Sequence, residues 1–172
     1  MKTVIDIETD GLDPTRIWLA ACKDINSDFV KVCFNRGELL KAIANTETFI
    51  GHNILGFDLP VLKKLWDIDI DYRKVEDTLV LSTLFNPERK GGHSLGQWGI
   101  RLNNEKGSHT DWSQVSPEMV SYCIQDVKLT GQVYRYLLDT EKEDFSDKSV
   151  ELEHRIKHII TQQMEKGFYL NE

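Results

Sequence analysis

Val4-Ile5-Asp6-Ile7-Glu8 decides how the rest of the chain is read, because it places two carboxylates inside a run that otherwise resembles a buried strand. Strand side chains alternate between faces, so Val4, Asp6 and Glu8 share one side. Two strand rises put their Cα atoms about 7 Å apart, close enough for both carboxylates to reach a common cation. Without a cation they repel. Taken alone, the pentapeptide also fits an edge strand with solvated acids, so the choice falls to the residues around it.

Downstream, Gly11-Leu12-Asp13-Pro14 is a turn cluster, and strands are predicted at Arg16 to Cys22 and Phe29 to Phe34. Their short polar connectors favour antiparallel pairing, since a parallel return needs a crossover of about a dozen residues. A β-meander therefore opens the fold. A helix over Gly37 to Ala44, a strand at Thr48 to His52, a helix from near Asp58, a short strand at Val75 to Thr78 and a helix over Leu79 to Phe85 then alternate, which predicts an α/β half with parallel pairing. Ser94 is placed to cap a short helix, and Asn103 to Trp112 reads as a long polar connection. Ser116-Pro117-Glu118 is a strong helix start, predicting a helix to about Leu138. A last amphipathic helix, Asp147 to Lys166, presents Leu152, Ile156 and Ile159 on one face and stops at Gly167.

The chain of 172 residues suits one well-buried domain, here 1–145, with a C-terminal helical segment, 146–172. No apolar run approaches the roughly 20 residues of a membrane span, and an acid interrupts the N-terminus before any secretory h-region forms. A cytoplasmic protein is expected. Cys22, Cys33 and Cys123 have neither CxxC spacing nor an even count, so they read as reduced structural thiols. The net charge of −7 argues against a broad basic grip on nucleic acid. It leaves room for a site where cations meet phosphate: two divalent ions would bring −7 to −3.

The helix from Ser116 carries the next anomaly. At 100° per residue, Met119, Leu129, Val133 and Leu137 form one apolar stripe, and Asp126 lies in it, with Tyr122 one turn earlier. A buried carboxylate needs a cation, a proton or a path to water. Asp58 precedes a helical pattern, where an Asp is more often an N-cap than a ligand. For His52 and Asn53 the default is loop hydrogen bonding. Lys63-Lys64 and Arg89-Lys90 read as solvated pairs.

Together, Asp6-Ile7-Glu8, His52-Asn53-Ile54-Leu55-Gly56-Phe57-Asp58 and Tyr122-Cys123-Ile124-Gln125-Asp126 resemble, in order, the three exonuclease motifs of the DEDD superfamily. The Tyr four residues before the last Asp marks the Tyr subtype. Beyond the motifs, Asp77 to Ser82, His93-Ser94-Leu95 with Trp98-Gly99, and Leu152-Glu153-His154-Arg155 through Gly167-Phe168 resemble the 3′→5′ proofreading domain of podovirus-phage-type family A DNA polymerases. In those polymerases the last helix leads into a polymerase domain, whereas this sequence stops at Glu172.

The resemblance implies a ribonuclease H-like α/β fold, a mixed five-stranded sheet flanked by helices, and metal-dependent removal of nucleoside 5′-monophosphates from single-stranded DNA 3′ ends. It implies Asp6, Glu8, Asp58 and Asp126 as ligands of two Mg2+ or Mn2+ ions and Tyr122 as the residue that orients the attacking water. Thr9, Leu12, His52, Asn53 and Phe57 become neighbours of the end nucleotide, with a weaker expectation of backbone contact from Arg89 and Lys90. A DNA polymerase subunit or domain is the implied partner. An RNA exonuclease of the ribonuclease D kind and a non-catalytic docking module for a replication partner are the competing readings.

Overall fold

A computed structural model describes residues 1–105 and 107–167. Five strands, β1 (Lys2–Thr9), β2 (Ile17–Asp24), β3 (Lys31–Cys33), β4 (Thr48–Gly51) and β5 (Val75–Asp77), form one sheet in the order β3-β2-β1-β4-β5. The first three are antiparallel neighbours, and β4 and β5 run parallel to β1. The meander and the parallel half are both as the connector lengths require. β3 is shorter than predicted: it pairs only with Ala20 to Cys22 of β2, and Phe29 and Phe34 at its flanks are exposed.

The helices are α1 (Arg36–Ile43), α2 (Asp58–Trp66), α3 (Thr78–Phe85), α4 (Leu95–Arg101), α5 (Pro117–Thr140) and α6 (Asp147–Lys166). Each face of the sheet has its own core. Ile5 and Ile7 point into one with Leu39, Ile43, Val61 and Leu62 of α1 and α2. Val4 points into the other with Leu81, Trp98, Met119, Cys123 and Val127 of α3, α4 and α5. The alternation of β1 thus assigns Asp6 and Glu8 to the face under α5. The stripe of Met119, Leu129, Val133 and Leu137 is wholly buried, as are Val127 and Tyr134 beside it, whereas Val120, Ile124 and Leu138 are only half-buried. Ser116 caps α5 by accepting from the Met119 N–H at 3.1 Å, and Ser94 caps α4 through Gln97.

Two readings change. On α6, Leu152, Ile156 and Ile159 are exposed, and the buried residues are His154 and Thr161. Phe168, beyond the C-cap Gly167, lies outside the described residues. Arg89 is not a solvated cation: its side chain is 7% exposed, pairs with Glu141, donates to the Ser82 carbonyl and stacks 4.5 Å from the ring centroid of buried Trp98. A guanidinium fixed in this way is not available to a nucleic-acid backbone. Arg89→Ala is therefore expected to destabilise the fold by about 3 kcal/mol, because it strands Glu141 at 18% exposure. Exposed Lys90→Ala should stay within about 0.5 kcal/mol; urea denaturation of the two variants checks this.

Candidate active site

β4 accompanies β1 only from Lys2 to Val4, so from Ile5 onward that edge of β1 is bordered by the loop after Gly51. The carboxyl ends of β1, β4 and β5 face the same way, and a cleft opens beyond them, where open α/β sheets bind their ligands. This cleft, of about 460 Å³, is lined by Asp6, Glu8, Thr9, Leu12, His52, Asn53, Phe57, Asp58, Tyr122 and Asp126, with Ile7, Gly11 and Trp112. Every residue singled out from the motifs reaches it, from β1, the loop before α2, and α5.

Asp58 is not an N-cap. Phe57 occupies that position without a side-chain cap, and Asp58 is the first helical residue with its carboxyl buried in the cleft. Burial, and next the charge of Asp6, push its pKa well above the carboxylate range; the N–H groups of Asp58 and Ile7 oppose this less strongly. Ligand atoms of Asp6, Glu8 and Cys123 lie within 4.8 Å of one another. The Cys123 thiol donates to Asp6 Oδ2 at 3.5 Å, and burial with the nearby carboxylates raises its pKa, so it stays protonated beside the acids. The anionic donors are then carboxylate oxygens, a set that fits Mg2+ or Mn2+. Converging acids of this kind are compatible with burial when a cation or a proton neutralises them.

The other residues lining the cleft have local explanations. Thr9 donates its hydroxyl to the Gly11 carbonyl at 2.9 Å, and Asp10 accepts from the Thr15 and Arg16 N–H groups. These bonds close the loop between β1 and β2 and leave Leu12 at its tip, 94% exposed. Leu12 thus places an exposed apolar side chain at the mouth of the cleft. Asn53 sits at φ +60°, a conformation asparagine tolerates better than most residues. His52 Nδ1 lies 2.9 Å from Thr78 Oγ1; that hydroxyl spends its proton on the Gly51 carbonyl, so Nδ1 is the donor.

Trp112 had no sequence signal, since its connection has no periodicity. Its ring stands edge-on to Tyr122 with centroids 5.8 Å apart, and His109 completes the cluster. Trp18 Nε1 donates to the Trp112 carbonyl at 3.0 Å and ties this wall to β2. Asp77 was also missed as more than a strand end: buried, it accepts from the N–H groups of Asn53, Leu55 and Leu79 at 2.8, 3.1 and 2.9 Å. Burial raises its pKa against those three bonds.

Two curated relatives match the chain. The DNA-directed DNA polymerase of Escherichia phage T7 is 25% identical over 183 residues, covering 73% of this chain and 26% of the polymerase. That of Enterobacteria phage T3 is 26% identical over 174 residues, covering 68% and 25%. The resemblance to the DEDD exonucleases holds. The chain spans about a quarter of the length of these polymerases. Among solved structures, Brucella melitensis NrnC with bound Mg2+, and the same protein bound to pGG, each superpose with TM-score 0.76 at 21% identity, covering 99% of this chain and 88% of theirs. That likeness fixes the fold as ribonuclease H-like. No family model matches the chain.

The raised pKa of Asp58 has a testable sign. Below about pH 4 the group is protonated in folded and unfolded chains alike. Between there and its raised value the folded chain keeps a proton that the unfolded chain has lost, so stability without metal falls as pH rises, with Asp77 acting in the same direction. In EDTA, the melting temperature of Asp58→Asn minus that of the native chain should therefore grow from about pH 4 to 7. Mg2+ should raise the native melting point at neutral pH more than that of the variant.

Proposed function

We propose that the chain is a metal-dependent 3′→5′ exonuclease of the proofreading kind, acting on single-stranded DNA ends. The observation that carries this reading is the convergence of Asp6, Glu8, Asp58, Tyr122 and Asp126 on one cleft with Leu12 at its mouth. Asp6, Glu8, Asp58 and Asp126 would hold two divalent cations, Mg2+ or Mn2+. Cations held there supply an ionised water at neutral pH and offset the charge that builds on the attacking and leaving oxygens of an in-line displacement.

The chain's own groups do the rest. Asp6, on the central strand, would be a ligand of these cations, held in place by the pairing of β1 with β2. Tyr122, braced edge-on by Trp112, orients the attacking water through its hydroxyl. Leu12 packs on the terminal base, and Thr9, His52, Asn53 and Phe57 line the place of the end nucleotide. Contacts of this type favour an unpaired end and tolerate any base. Residues 1–145 form the nuclease unit, and 146–172 the segment that leads toward a polymerase partner. An intracellular site of action follows from that partner; no helix among the described residues is long and apolar enough to cross a membrane.

RNA as substrate is the second reading, favoured by the superposition on NrnC bound to pGG. With 5′-labelled DNA and RNA oligonucleotides and Mg2+ or Mn2+, we expect a ladder shortening from the 3′ end of DNA. Asp6→Ala should slow it by at least about 10³-fold, and Tyr122→Phe by on the order of 10- to 100-fold. Equal or faster loss of RNA would transfer the reading to RNA, and intact oligonucleotides with pure native protein would overturn it. Leu12→Ala should leave the melting temperature unchanged and raise KM for single-stranded DNA roughly 5- to 50-fold, the value of one lost base contact.

A further inference from the structure

The loop that delivers Asp58 to the cleft is held from behind, by groups that do not line the cleft. The Asp77 carboxylate binds the N–H groups of Asn53 and Leu55 on that loop and of Leu79 on α3. The backbone N–H of Asp77 in turn donates to Nε2 of His154 on α6 at 2.8 Å, in the interior. His154 Nδ1 lies 2.8 Å from the Val150 carbonyl, which can only accept. The imidazole therefore carries its proton on Nδ1 and presents Nε2 as the acceptor, an orientation fixed at both nitrogens.

A second contact repeats the connection. A Cβ on Gly56 would collide with Asn53 Oδ1 and fall 2.8 Å from Lys157 Nζ, so α6 lies directly over the loop. One position on, His158 stacks on Tyr72 with ring centroids 4.2 Å apart, and Thr161 is buried. Residues 154, 157, 158 and 161 recur at helical spacing, so the inward stripe of α6 is polar, and Leu152, Ile156, Ile160 and Met164 are left exposed. A helix packed through polar groups is oriented by directed bonds more than by apolar burial.

We infer that His154 and Asp77 are positioning residues for the cleft: α6 fixes Asp77 through His154, and Asp77 fixes the backbone that carries Asn53 and Asp58. The inference rests on the hydrolytic reading for its catalytic consequence, and on the hydrogen bonds alone for its structural one. Groups that orient metal ligands from behind typically account for about 10- to 100-fold in metal affinity or turnover. Asp58 is the ligand carried by this loop, so the half-saturating Mg2+ concentration should move more than the KM for DNA.

The test compares the native chain, His154→Leu and His154→Gln. Leucine fills the space without an acceptor, and glutamine places an amide oxygen near the position of Nε2. In hydrogen exchange, His154→Leu should speed the amides of Asn53 and Leu55 by about tenfold or more while those of Leu39 and Ile43 in α1 stay unchanged, and His154→Gln should restore protection. In hydrolysis, His154→Leu should raise the half-saturating Mg2+ concentration roughly 10-fold or more with KM for DNA within about twofold, again restored by glutamine. Unchanged exchange at Asn53 and Leu55 in His154→Leu would overturn the inference whatever the activity. So would slowing by both variants with no shift in Mg2+ dependence. If His154→Leu does not fold, His154→Asn, which is polar but too short to reach the Asp77 N–H, takes its place. A native chain that hydrolyses nothing would overturn the hydrolytic reading, and the exchange comparison would still decide the positioning role.

Discussion

The mutual repulsion of carboxylates brought to one cleft is the constraint on which the rest of this structure depends. Asp58 feels it on top of its burial: desolvation first, and then the charge of Asp6, push its carboxyl well above the usual carboxylate value. An uncompensated arrangement of this kind opposes folding, so the scaffold around it must be stiff enough to hold the acids together. That stiffness starts at β1, the centre of the sheet, which pairs with β2 from Thr3 to Thr9 and with β4 from Lys2 to Val4 and has a separate apolar core under each face. Asp6 and Glu8 are carried by this central strand, opposite Ala21 and Leu19 of β2. Asp126 is carried by the longest helix, whose buried stripe packs on the same face.

The support that delivers Asp58 is of another kind. The residues from 52 to 57 belong to no strand or helix; Ile54 and Leu55 anchor them in the core shared with α1 and α2, and Phe57 packs against it. The N–H groups of Gly56 and Phe57 close a turn on the Asn53 carbonyl, and those of Asn53 and Leu55 are bound by a buried acid, Asp77, which belongs to the neighbouring strand and also caps α3. One carboxylate thus ties β5, α3 and the loop into a unit. Its own burial is opposed by desolvation, which is why it needs all three donors. A carboxylate used for structure therefore stands behind the carboxylates of the cleft.

Much of this was legible in the sequence, for reasons that can be located. The alternation of Val4 to Glu8 sorted the acids onto one face, and the wheel of α5 exposed Asp126 as a charge among buried residues. Both signals come from local periodicity. Short connectors told antiparallel from parallel pairing by chain length alone. What was hidden depends on contacts between distant segments. Trp112 meets Tyr122 from a connection without a repeat, and Arg89 looks like half of a surface pair until Glu141 and Trp98 close around it. The apolar stripe of α6 misled because it is the more conspicuous one: the helix packs by His154, Lys157, His158 and Thr161, residues whose partners on the loop and beside Tyr72 leave no pattern within the helix itself.

On the proposed function, an acidic protein acting on a polyanion would have to find its affinity somewhere other than a basic surface, given the net charge of −7. The cleft has two sources that do not depend on surface charge. Carboxylates that hold cations turn a repulsive wall into one that attracts phosphate, and only within reach of those cations. Leu12, projecting at 94% exposure on a loop closed by Asp10, and the rings of Tyr122 and Trp112 offer apolar faces to bases rather than to the backbone. Both sources act over a nucleotide or two and neither extends along a duplex. With long-range attraction to the backbone suppressed, binding of the proposed substrate would concentrate where an unpaired terminus can enter the cleft, and the acidity of the chain would contribute to its choice of ends.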